Sequence, residues 1–156
     1  MSTPTAPDET DAPAWHRRFA ASCNNRAWDL ATQPRTPAED REMLDAAHAS
    51  AWHWSRVGTE LHRMRAQMLL AEVHALLGMA SALRLAEEMR SYFLGRETPD
   101  WELAFTHAIH AHAAHAAQRP DQHRRSYGDA LAALQAIADP EDRQIVEKTF
   151  NQVPPP

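Results

Sequence analysis

Apolar residues recur along this chain every three or four positions, and no stretch alternates with a period of two long enough to form a strand. The pattern predicts helices throughout. A first helix runs from about Pro13 to Gln33, with Trp15, Phe19, Ser22/Cys23 and Ala27/Leu30 on one face, before Pro34 ends it. Thr36-Pro37-Ala38-Glu39 then reads as a capping box with proline in the first turn. The second helix carries Leu44, Ala47/His48, Ala51 and Trp54/Ser55 at helical spacing and stops at Gly58. Thr59 caps a third, whose apolar positions between Leu61 and Leu77 go almost all the way round. A helix apolar on most sides is packed by neighbours on several faces, so this one is central.

Gly78 closes the third helix and a fourth begins at once. It turns Ala82, Leu83, Ala86, Met89 and Phe93 inward and Ser81, Arg84, Glu87, Glu88 and Arg90 outward, and it ends at Gly95. Thr98-Pro99-Asp100 starts a fifth helix, Trp101 to about Gln118. Pro120-Asp121 starts a sixth, which buries Tyr127, Ala130/Leu131, Leu134 and Ile137. Pro140-Glu141-Asp142 starts a short seventh, which buries Ile145/Val146 and Phe150. The fold class is all-α. Short connections at Gly58, Gly78 and Pro120 make sequential helices antiparallel neighbours, so the chain is either a stack of helical hairpins or a closed bundle. The third and fourth helices, and the fifth and sixth, read as two hairpins about forty residues apart, against about 34 in a tetratricopeptide repeat, and of that repeat's consensus only the first element survives, at Trp101. Alanine faces such as Ala71/Ala75 and Ala104/Ala108/Ala111 favour close helix approach.

Composition narrows the organisation. The 156 residues suit one domain, read as residues 14–153, between an acidic, proline-rich tail over 1–13 that is expected to be disordered and a proline tail over 154–156. The tail has neither the basic start nor the apolar run of a signal peptide. The best apolar stretch, Met68 to Ala86, is interrupted by Glu72, His74 and Arg84, which argues against a membrane span. A net charge of −5 without a basic stripe argues against a nucleic-acid partner. Cys23 is the only cysteine, so no intrachain disulfide is possible, and a reducing, cytoplasmic setting is expected.

Three segments carry a resemblance. They are Arg35 to Trp54 with the following Val57-Gly58-Thr59, then Asp100-Trp-Glu-Leu-Ala-Phe105, then Ile137-Ala-Asp-Pro-Glu-Asp-Arg143. Together they resemble a family of bacterial tetratricopeptide-like proteins of unknown function, over roughly Trp15 to Val153. The resemblance implies stacked antiparallel hairpins, about seven helices and an interaction role. It transfers no active site.

Candidate chemistry centres on histidine and tryptophan. Four of the ten histidines lie at His107, His110, His112 and His115. On a helix His107 and His110 are about 60° apart, but no pair in the run has the i,i+4 spacing of a metalloprotease helix and no carboxylate sits inside it. Histidine at half-buried polar positions accounts for the run. His48, beside Asp45, could join His107 and His110 from another helix to hold a divalent transition metal, as in a DinB-like bundle enzyme. Trp52 and Trp54 flank His53. Two tryptophans two positions apart on a helix cannot face one core, so one belongs to a second packing layer or an exposed contact surface. Cys23 and the serines lack a base or a glycine turn for nucleophilic catalysis. The sequence therefore predicts a protein- or peptide-binding or scaffolding module without a cofactor. Trp52, His53, Trp54 and Arg56 are its contact residues, and a second copy of the chain is one possible partner. The alternative is a metal-dependent enzyme built on His48, His107 and His110.

Overall fold

The computed structural model describes residues 3–156, all-helical and without strands. Seven α-helices follow one another: α1 (Ala12–Ala31), α2 (Pro37–Val57), α3 (Glu60–Leu76), α4 (Ala82–Leu94), α5 (Asp100–Ala116), α6 (Pro120–Gln135) and α7 (Pro140–Phe150). Among the described residues, no helix is long and apolar enough to cross a membrane.

The helix ends follow the local chemistry. At α2 the Thr36 hydroxyl accepts from the Glu39 amide (3.2 Å) while the Glu39 carboxylate accepts from the Thr36 amide (3.3 Å). At α3 the same reciprocal cap forms with a histidine in place of the acid: His62 N–H donates to Thr59 Oγ1 (3.3 Å) and Thr59 N–H to His62 Nδ1 (3.2 Å). Asp139 caps α7 through the amides of Glu141 and Asp142. Asp11 caps α1, which starts at Ala12, and Asp8 accepts from the Trp15 indole (2.9 Å). The end of the acidic tail thus lies against the first turn. At the other end the Pro154 carbonyl bonds His123 Nε2 (2.7 Å), and Val153 is buried.

Two connections depart from the predicted ones. Gly78 takes a left-handed φ of 70°, with Met79 N–H returning to His74 and Gly78 N–H to Ala75. That paired closure carries the chain through Met79–Ser81 before α4 begins at Ala82. The end of α5 repeats the motif with Gln118 at φ 57° in glycine's place, where Arg119 N–H returns to Ala114 and Gln118 N–H to His115. This is why α5 stops at Ala116, short of the predicted Gln118. Gly58 is required for space rather than for φ. A Cβ there would meet Trp54 O at 2.7 Å and His62 Cβ at 2.9 Å.

Each helix packs on the next, and the odd-numbered helices also pack in sequence: α1 on α3, α3 on α5, α5 on α7. The core follows that seam. In α3 nearly every residue from Ala66 to Ala75 is buried, as its all-round apolar pattern predicts. In α5 the run Ala108–Ala114 is buried without a break, largely as alanine. The two meet through a buried polar pair, His112 Nδ1 to Glu72 Oε1 at 3.2 Å. The α1–α2 seam is narrower than the pattern foresaw. Ala20, Ala27 and Ala47 fill it, and the Ser50 hydroxyl donates to the Ala20 carbonyl (3.1 Å). Phe19, expected inward, is 45% exposed.

Candidate functional site

The odd-numbered helices leave an open cleft of about 360 Å³ along their seam. α1 contributes Asn24, Trp28, Asp29 and Thr32; α3 contributes Arg65 and Met68. Trp101, Glu102 and Phe105 come from α5, and Ile145, Lys148 and Thr149 from α7. The walls are aromatic. Trp28 and Phe105 lie with ring centroids 5.6 Å apart, and Trp101 meets Phe105 edge-on at 6.2 Å. Ile145 stands 56% exposed at the rim, and a smaller apolar hollow of about 250 Å³ continues past it toward Val146.

One ion pair sets the charge of this cleft. Arg65 grips Glu102 through both nitrogens of its fork, Nε to Oε1 at 2.6 Å and Nη2 to Oε2 at 2.9 Å. The Glu102 carboxylate is only 2% exposed, whereas the Arg65 side chain is 44% exposed and stacks its guanidinium 5.6 Å from the Trp101 ring centroid. The hydrogen bonds that Arg65 donates to Glu102 push its pKa further up, against burial. Removing Arg65 would strand a buried carboxylate, so the pair fixes Trp101 and the floor at once. Lys148 and Asp29 stay exposed on opposite walls. An arrangement of half-buried indoles with polar groups around the mouth suits a side chain of another molecule, apolar at its end and polar at its base.

The four predicted contact residues divide between two places. Trp52, 56% exposed, and His53 belong to an aromatic cluster across the α1–α2 hairpin. His16 lies 5.3 Å from Trp52 and 5.1 Å from His53 by ring centroids, and Phe19 stacks on Trp15 at 5.5 Å. Trp54 points elsewhere and stacks flat on His62, 4.3 Å away with 3° between planes. Arg56 is exposed near it at the end of α2. So one tryptophan is on the surface and the other packs on the next helix.

The structure does not bring the three histidines of the metal alternative together. His48 Nε2 bonds His74 Nε2 (3.1 Å) at the α2–α3 seam, and His74 Nδ1 bonds Ser81 (2.8 Å). His110 instead bonds Ser126 on α6 (2.6 Å), and His107 lies on the same helix one turn earlier. Among the described residues no group of three or more His, Cys, Asp or Glu side chains has the geometry to hold a metal ion. Histidines do pair across consecutive helices three times: His16 with His53, His48 with His74, and His115 with His123. Burial first, and then the partner ring, lowers the pKa of His53, His74 and His115. Cys23 is half-buried, and burial raises its thiol pKa, which leaves it a poor nucleophile.

Sequence reasoning missed the cleft itself. A signal is present in the sequence, since Trp101 lies in the resembling segment Asp100–Phe105, but nothing local joins residue 24 to residue 149. No family model, curated protein or solved structure matches the chain.

Proposed function

We propose that this chain is a peptide-binding module of tetratricopeptide-like type, and that the cleft along α1, α3, α5 and α7 receives the partner. Support for the hairpin-stack reading comes from the packing order. Every odd helix touches the next odd helix, while α1 and α7 face each other only across the cleft without extensive contact, which favours an open stack over a closed bundle. The observation that carries the binding reading is the cleft's composition. Three large aromatic rings and a rim isoleucine surround one fully paired charge, whose guanidinium lies over Trp101, with polar side chains at the mouth. The occupant is a peptide segment of another protein, anchored by an aromatic or long aliphatic side chain between Trp28 and Trp101. The cleft is too small for more than one or two such anchors, and its mixed rim of Asp29, Thr32 and Lys148 suits a peptide backbone better than a second helical surface.

Selection from a random displayed peptide library tests this. Enriched peptides should share an apolar anchor and bind Trp101→Ala at least about tenfold more weakly than the unmodified chain, with Trp52→Ala unchanged. Peptides that lose affinity for Trp52→Ala and not for Trp101→Ala would move the site to the α1–α2 aromatic cluster. A library that enriches nothing would remove the reading.

A further inference from the structure

A second cleft, of about 390 Å³, lies where α4 and α6 flank α5, and its chemistry is the reverse of the first. Each helix turns a polar stripe into it at helical spacing. α4 gives Glu87, Arg90 and Ser91, and α6 gives Gln122, Arg125, Ser126 and Asp129. At the floor His110 and Ser126, 5% and 3% exposed, hold each other at 2.6 Å.

What distinguishes this cleft is a half-buried guanidinium, that of Arg90, with no partner. Among the described residues the side chains of Arg90 and Arg125 make no hydrogen bond and have no carboxylate within 4.0 Å, although Glu87 and Asp129 line the same walls. Two polar atoms of its lining, Arg90 Nε and Gln122 Oε1, are buried with no partner. Buried polar atoms in folded proteins almost always have one, so two orphans in the lining of one hollow mark a place where something polar belongs. An adjoining hollow shares Glu87, Gln122 and Arg125 and adds Arg119 at its edge.

We propose that this cleft binds a small molecule through an oxyanion, a phosphate or a carboxylate, held between the Arg90 and Arg125 guanidiniums above Ser126. Guanidinium forks match such oxygens two at a time. Glu87 and Asp129 leave the cleft without net positive charge, which suits one small oxyanion rather than an extended polyanion and gives any hydroxyl or amino group of the ligand a carboxylate to donate to. A bound oxyanion would also offset the Arg90 charge that, after burial, helps to hold the His110 imidazole down to about 4. His110 would then titrate at a higher pH when the site is filled.

Titrating the full chain with inorganic phosphate, and separately with acetate, against chloride at constant ionic strength tests this by NMR of the His110 ring. A saturable shift in one arm identifies the oxyanion, and His110 should titrate higher at saturation. Arg125→Gln alters an exposed side chain and should weaken binding at least about tenfold. Trp101→Ala, in the other cleft, should leave it unchanged. Shifts that rise without saturation as they do in chloride, or saturation that Arg125→Gln does not weaken, would overturn the proposal.

Discussion

The two clefts differ less in size than in how their charges are settled. Along the odd helices the buried carboxylate of Glu102 is matched on both oxygens by Arg65, and the walls around it carry Trp28, Trp101 and Phe105. Between α4 and α6 the arginines have no partner and the apolar share is small. A satisfied charge makes a wall rigid and leaves specificity to apolar shape. An unsatisfied one costs stability and waits for a ligand to supply its partner. The same helix, α5, serves both, because Trp101, Glu102 and Phe105 near its start line one cleft and His110 lines the other.

Breaking the settled pair should have the largest effect. Arg65→Ala strands Glu102 and should cost about 3 kcal/mol or more in urea unfolding, whereas Arg90→Gln removes an unpaired charge and should leave stability unchanged or raise it by up to about 1 kcal/mol. Equal losses would mean that the two clefts are not different in kind.

Acid should sharpen the contrast next. A histidine whose folded pKa lies below its unfolded value, near 6.5, contributes fully above that value and loses its contribution as pH falls toward the folded pKa. For His110, held down to about 4, the loss between about pH 6.5 and 4 approaches about 3 kcal/mol, and His53, His74, His107 and His115 shift in the same direction. Urea midpoints followed across that window should fall steeply for the parent and less steeply for His110→Gln. Parallel curves would show that His110 is not held neutral by its surroundings.

Trp101→Ala should be milder in stability, about 1–2 kcal/mol for a half-buried ring, while removing peptide binding. A variant that binds normally at that loss would make the ring structural only. The smallest effects belong to the two left-handed turns. Gln118→Gly should stabilise by about 0.5–1 kcal/mol and Gly78→Ala should destabilise by a similar amount, read as opposite shifts of the thermal midpoint.

Those turns also mark how far the sequence could be read. Helix starts were legible because their chemistry is local: Thr36 with Glu39, Thr59 at its cap, and prolines 37, 120 and 140 in first turns. The stop after α5 was not, because Gln118 performs a task for which glycine is the usual signal. Phe19 was misplaced because large residues weigh most in a periodicity, whereas alanines and Ser50 make the α1–α2 seam. The clefts were hidden for a different reason. Trp28, Arg65, Trp101 and Ile145 belong to four helices, and only the packing of odd helices on one another gathers them. Trp52 and Trp54 could be told apart in principle from their spacing, but which of the two faces outward depends on His62 in the next helix.

The five tryptophans allow one spectrum to decide where a partner sits, since each indole N–H gives its own resonance. With a library-selected peptide added to saturation, the account predicts that the indole signals of Trp28 and Trp101 move while those of Trp15, Trp52 and Trp54 stay in place. Movement of Trp52 with Trp101 unmoved would contradict it.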